Sequence, residues 1–329
     1  MKISRLEKNK IKDFLRKHRN FLISAHTSPE GDSLGAQLAF ARAIRAIGKN
    51  CDIVNSDRHL REYAFLPGVK DIRTRPRIKK YDAAIILDCS DISRIGNVVN
   101  LLDKNIPILN IDHHISNTYF GDINLVDAKV SSACEMLFLM FKELNIKLDR
   151  FMAICLYAGI VTDTGSFRYT NTRASTHFVV SQLLKWRISA PMIFRNIYEN
   201  LNFSDLKLIN SALSNLRKDA TGRIAWVNIT RNLINKYKPQ IDLTDNILNS
   251  IRSLKGTEVC ILFREKSGTE KNIRVNLRSR GKVDVNEIAQ HFGGGGHATA
   301  SGVTLRNISL DEAEKRIINF IRKKLSKIK

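Results

Sequence analysis

ILNIDHHISN, residues 108–117, begins as an apolar strand and ends on an acid and two imidazoles. Packing gives no reason to close such a run on Asp112, His113 and His114. Similar apolar runs stand upstream, at FLISA (21–25), CDIVN (51–55) and YDAAIILD (81–88). Between them lie helix-like segments. SLGAQLAFARAIRAIGK (33–49) has helical periodicity and a glycine near its end, and a further helix is expected at 93–104. Strand, helix, strand at this spacing predicts parallel strands joined by crossovers, hence an α/β fold.

Downstream, helices are expected at about 131–144, 150–161, 173–186 and 190–216. The character changes after residue 218. RIAWVNIT, EVCILFRE and KNIRVNLRS read as strands, with helices near 244–254 and 284–291 and an amphipathic helix, LDEAEKRIINFIRKKL, near the end. The expected organisation is a parallel-sheet domain over 1–189, a helical connector over 190–218, and a smaller α/β domain over 219–329.

The hydrophobic fraction of 43% supplies a sizeable core for 329 residues. No apolar run approaches the roughly 18–20 residues of a membrane span, so no membrane partner is expected. The N-terminal MKISRLEKNKIKDFLRKHRN is patterned as an amphipathic helix, not as a signal peptide, which makes the cytoplasm the expected location. Five scattered cysteines without a CxxC pair exclude a thiolate zinc site and a disulfide framework. The formal net charge of +22 favours polyanionic partners. A solvated, lysine-rich surface accounts for the same charge, so it supports a phosphate-bearing substrate without identifying one.

Titratable residues recur where apolar elements end. SAHTSPEGDSLG follows the first strand and offers His26, Glu30 and Asp32. ILDCSD offers Asp88, NIDHH offers Asp112, His113 and His114, and VTDTGSFRYT closes an apolar helix with Asp163, followed by Arg168. The carboxyl ends of parallel strands line one crevice, so three of these motifs face it by topology alone. Singly, each residue has a plain structural use: Asp32 as a helix cap, Asp88 as a turn residue, His114 as a core histidine. Together, Glu30, Asp32, Asp88 and Asp163 would repel one another unless cations neutralise them. Two divalent cations do this, and mixed imidazole and carboxylate donors suit Mn²⁺ better than Mg²⁺.

At this point the chain resembles the DHH phosphoesterases, named for a motif that Asp112-His113-His114 matches. HTSPEGD matches their first motif with Glu30 in place of an aspartate, and LDCSD and DTGSFR match two others. GGGGHATASG (293–302) and NLRSRG (276–281) resemble the accessory DHHA1 domain. The two-domain length is similar to the bacterial nano-RNases, bifunctional oligoribonucleases and pAp phosphatases. The resemblance implies that His26, Glu30 and Asp88 hold one metal. Asp32, Asp88, His114 and Asp163 hold the other, with Asp88 shared. It implies Asp112 as a support and His113 as the phosphate contact or proton donor. It also implies substrate binding by Arg278, His297 and the glycines Gly293, Gly294, Gly295 and Gly296, with Arg168 a further candidate.

The expected activity is two-metal hydrolysis of short oligoribonucleotides and of the 3′-phosphate of pAp. The expected partners are short single-stranded RNA or dinucleotides and pAp, with a homodimer as the assembly. The competing readings are a RecJ-like single-strand exonuclease, a phosphodiesterase of cyclic or linear dinucleotides, and a nucleotide-binding module with an inactive site.

Overall fold

In the computed structural model the apolar runs form the expected parallel sheet. Residues 3–58, 61–239, 241–266 and 271–326 are described. The strands are β1 (Asn20–Ser24), β2 (Asn50–Val54), β3 (Ile72–Arg73), β4 (Ala83–Leu87), β5 (Ile108–Asp112) and β6 (Ile123–Val126). Their order is β3-β2-β1-β4-β5-β6, and every neighbouring pair is parallel. The chain therefore winds from β1 out to β3, returns to the other side of β1 at β4, and winds out to β6. This reversal opens a crevice beyond the carboxyl ends of β1 and β4.

Helices cover the sheet: α1 (Arg5–Lys17), α2 (Gly31–Ala46), α3 (Ala133–Glu143), α4 (Arg150–Asp163), α5 (Ala174–Leu184) and α6 (Ala190–Tyr198). Small residues let α2 and α4 approach closely. A Cβ on Gly35 would lie 2.3 Å from the Cys155 carbonyl oxygen. The helix expected at 93–104 is instead a 3₁₀ run, Ile92–Leu101, kinked at Gly96, whose φ is +64°. The strands β3 and β6 were not anticipated, because two residues and a half-buried edge carry too little periodicity to read.

The chain divides into two compact units, Met1–Asn200 and Leu201–Lys329. The helical stretch 190–218 is shared between them. Ile193 of α6 lies in the first core, whereas Leu208, Ile209 and Ala212 of α7 (Phe203–Leu213) lie in the second. The second unit holds β7 (Arg217–Lys218), β8 (Ile224–Ile229), β9 (Val259–Glu265), β10 (Ile273–Ser279), β11 (Gly295–His297) and β12 (Ala300–Leu305), ordered β11-β12-β10-β9-β8-β7. Its helices are α8 (Arg231–Tyr237), α9 (Thr244–Arg252), α10 (Val285–His291) and α11 (Leu310–Leu325). Ile288, Ile317 and Ile321 from α10 and α11 cover one face of the sheet, and Leu208, Ile247 and Ile251 from α7 and α9 share the core that holds Ala225, Val227, Cys260 and Leu262.

The glycine-rich stretch partly joins this sheet as β11, hairpinned onto β12. Gly294 sits so close to that strand that a Cβ would meet the Gly302 carbonyl oxygen at 2.3 Å. The five cysteines are free and buried. Among the described residues, no helix is long and apolar enough to cross a membrane.

Candidate active site

The crevice collects residues from five elements. Two residues beyond β1 comes His26, and Glu30 and Asp32 begin α2. Asp88 follows β4, Asp112 ends β5, and Asp163 ends α4. Asp88 adopts a left-handed backbone, φ +50°, and its N–H donates to the Ile111 carbonyl at 3.0 Å. A non-glycine residue in that region costs roughly 1–3 kcal/mol, a strain that collects at functional sites.

Asp88 lies at the centre of three imidazoles. Its Oδ2 is 3.4 Å from His26 Nε2, and its Oδ1 is 3.5 Å from His113 Nε2 and 3.6 Å from His114 Nδ1. His113 Nε2 also faces Asp163 Oδ2 at 3.7 Å and Asp32 Oδ2 at 3.8 Å. One imidazole nitrogen thus points at three carboxylates. The strand ends at Asp112. The two histidines therefore escape the two-residue alternation of a strand, and both reach Asp88.

Hydrogen bonds orient the rings. His26 Nδ1 lies 2.6 Å from the Thr27 carbonyl oxygen. A carbonyl can only accept, so Nδ1 carries the proton and Nε2 faces Asp88. His114 Nδ1 lies 2.7 Å from Asp112 Oδ1. A carboxylate or carbonyl behind an imidazole is the arrangement that orients metal-binding and proton-transferring histidines. Asn117 Nδ2 donates to Asp112 Oδ2 at 2.7 Å and to Asn110 Oδ1 at 2.9 Å. Asn171 Nδ2 donates to Asp163 Oδ2 at 3.2 Å and to the Ser131 carbonyl at 3.0 Å. Neither asparagine was singled out in the sequence, since a lone amide has no distinguishing spacing.

The electrostatics follow from burial. Burial, reinforced by the Asp88 charge, pushes Asp32 up to about 6. Burial also holds Asp163 well above the carboxylate range, against the pull of His113. For His113, burial opposes the charged form, but Asp163, Asp88 and Asp32 outweigh it and raise the ring to about 10. Asp88 goes the other way: despite burial, His113, His26 and His114 hold it well below the usual range. The cluster thus keeps protons to offset its negative charge. A divalent cation could take the place of those protons. The donor set fits one: Asp32, Asp88 and His113 offer ligand atoms within 4.8 Å of one another, and Asp88 Oδ1 is buried without a hydrogen bond.

Asp32 is clamped from behind. The first amides of α3 donate to both its oxygens, Ala133 N to Oδ2 at 2.7 Å and Cys134 N to Oδ1 at 2.9 Å. Gly159 makes room for this clamp: a Cβ there would lie 2.3 Å from Cys134 Sγ and 2.9 Å from Asp32 Oδ1. Gly159→Ala is therefore expected to destabilise the fold by about 1–3 kcal/mol, as overpacking does, and to weaken divalent-cation affinity by displacing Asp32. Thermal melts with and without Mn²⁺ measure both; an unchanged cation-dependent rise in Tm would refute the displacement.

Glu30 is exposed, stands at the N-cap of α2, and its charge helps raise Asp163. Arg168 is exposed, and its Nε donates to the Gly165 carbonyl at 2.8 Å. In the second unit, His297 and Arg278 both stand opposite Ala300 in the register, so they share one row of the sheet. Arg278 pairs with Asp245 at 2.6 Å. Arg274, four residues before Arg278 and on the same face, lies against Gly302, where a Cβ would be 2.6 Å from its guanidinium. The two-residue spacing of Arg274, Asn276 and Arg278 was the available signal for this row.

A family model described as the DHH family, N-terminal domain, matches residues 20–160, and one described as the DHHA1 domain matches residues 239–327. A curated protein named bifunctional oligoribonuclease and PAP phosphatase NrnA, from Thermus thermophilus, is 29% identical over 309 residues, covering 93% of this chain and 90% of that protein. The protein of the same name from Bacillus subtilis is 27% identical over 301 residues, covering 89% and 91% respectively. A crystal structure described as an exopolyphosphatase-related protein from Bacteroides fragilis superposes with a TM-score of 0.89 over 98% of each chain at 24% identity, a likeness of fold.

Proposed function

This chain belongs to the DHH family, with a DHHA1 domain after the DHH domain, and we propose that it hydrolyses very short oligoribonucleotides and the 3′-phosphate of pAp. The carrying observation is the buried convergence of Asp32, Asp88 and Asp163 on His113. The substrate class is supported by the NrnA relatives, whose similarity spans about nine-tenths of both partners.

Two divalent cations, best matched by Mn²⁺, belong to the proposal. His26, Glu30 and Asp88 are assigned to one; Asp32, Asp88, Asp163 and His113 to the other. This exchanges the histidines relative to the sequence expectation. His113 is favoured as the ligand because its Nε2 faces three carboxylates, Asp32, Asp88 and Asp163. When bound, such cations stabilise charge on phosphoryl oxygens and acidify water. The chain's own groups do the rest. Asp88 is the shared carboxylate, and Asn171 and the α3 amides hold Asp163 and Asp32 in place. The Asp112–His114 pair contacts the phosphoryl group or carries the leaving-group proton, with Asp112 fixing the tautomer.

Arg278, His297 and the glycine hairpin are proposed as a phosphate- or base-binding face on the second unit. Arg278→Ala is expected to leave cation binding intact and raise KM for a dinucleotide by about 10- to 100-fold, the loss of one charge-assisted hydrogen bond. Equal losses on a small chromogenic phosphodiester would assign Arg278 to the fold instead.

The proposed activity is tested by a Mn²⁺ assay on four substrates: a dinucleotide, a 20-mer (about 20 nucleotides, a chain too long for a short-substrate site), pAp and cyclic di-AMP. Turnover of the dinucleotide and phosphate release from pAp are expected, with slow hydrolysis of the long strand. Preferential degradation of the long strand would favour a RecJ-like exonuclease, and no phosphate release from any substrate would leave a binding module.

A further inference from the structure

We infer that Arg94 is a phosphate-contacting residue of the first unit, donating to a non-bridging oxygen of the substrate's phosphoryl group. The inference rests on the phosphoester reading above.

Arg94 lies in the 3₁₀ run after β4, six residues beyond Asp88 in sequence. Its backbone is held against the first motif, because its carbonyl accepts from the Thr27 N–H at 2.7 Å. Gly96 allows that approach: with φ +64°, a Cβ there would lie 2.8 Å from Thr27 Cγ2 and 2.6 Å from Ser56 Oγ. Its side chain returns toward the tip of β4, where NH1 donates to Ser90 Oγ at 3.1 Å. Ser90 is itself nearly buried, and its carbonyl is fixed by the Thr118 N–H at 2.8 Å. The guanidinium is thus held at the loop that carries Asp88, and the Arg94 backbone at the loop that carries His26.

Among the described residues its guanidinium closes no salt bridge within 4 Å, although its charge is felt by Asp91. The adjacent Asp91 is already occupied by Ser93 and Thr118, through Oδ1 at 2.6 Å and Oδ2 at 3.2 Å. A guanidinium offers five N–H donors, and a single side-chain hydrogen bond to Ser90 uses one of them. Close to a cluster of acids, an arginine would ordinarily be spent on a carboxylate. A planar fork of donors suits a phosphoryl oxygen pair.

The test uses the full chain loaded with Mn²⁺ and measures binding, so it does not depend on turnover. Equilibrium dialysis of inorganic phosphate and of AMP is compared for wild type, Arg94→Gln, Arg94→Lys and Ser90→Ala, with Mn²⁺ content measured on each. Arg94→Gln is expected to weaken both ligands by about 10- to 100-fold with Mn²⁺ content unchanged. Arg94→Lys should recover part of the loss, and Ser90→Ala should show a smaller one. Unchanged phosphate and AMP binding in Arg94→Gln overturns the inference. So does an equal loss of Mn²⁺, which would make Arg94 a structural residue, and so does a wild type that binds neither ligand. A wild type that binds phosphate through Arg94 yet hydrolyses none of the four substrates would sink the proposed activity and leave the phosphate contact standing.

Discussion

Asp88→Ala is expected to abolish hydrolysis and to release both divalent cations. Both oxygens of Asp88 are surrounded by imidazoles, and among the described residues no other carboxylate pairs with His26, His113 and His114 together. Removing it deletes the carboxylate that the three imidazoles hold ionised, leaving Asp32 and Asp163, whose carboxyls burial holds up. Groups that act as a unit fail together, so the loss should reach about 10⁴-fold or the assay floor. Alanine also meets strain in the left-handed backbone at this position, worth about 1–2 kcal/mol. Asp88→Asn separates the two effects. Asparagine tolerates that conformation and keeps the shape, but it cannot supply a shared carboxylate. Elemental analysis of folded Asp88→Asn should show less than the wild-type cation content, and two retained ions would overturn the sharing of Asp88.

The two histidines are expected to part company. His113→Ala should lose one cation and nearly all turnover, because its Nε2 is the nitrogen facing Asp32, Asp88 and Asp163. His114→Ala should keep its cations and lose about 10²–10⁴ in rate, the usual scale for a lost proton-transfer group. The Asp112→Asn variant should resemble His114→Ala in turnover, since Asp112 acts through that ring. Cation titration separates the cases. If His114→Ala lost its cations while His113→Ala kept them, the ligand set would revert to the one implied by family resemblance.

Much of this was readable from residue order. A buried parallel strand announces itself as a short apolar run, and β1, β2, β4 and β5 were each expected near their observed positions. The acids and histidines were readable because apolar elements rarely end on such groups. The limits of the 3₁₀ run at Ile92–Leu101 and the hairpin at β11 were not readable. Glycines permit several backbone paths, and only contacts with Thr27, Ser56 and Val303 select one.

The sequence by itself determined the sheet, the set of titratable residues and the strand tips that carry them, because hydrophobic periodicity and residue type are local properties. Tertiary structure decided how those residues divide the work. Which of two adjacent imidazoles enters the carboxylates depends on where β5 ends and on what Asp112 can reach. Asp32 is set by amides of a helix about a hundred residues away, and the room for that clamp is left by Gly159 on a third element. Angstrom-scale orientation is the sum of many long-range contacts, and no spacing along the chain encodes that sum.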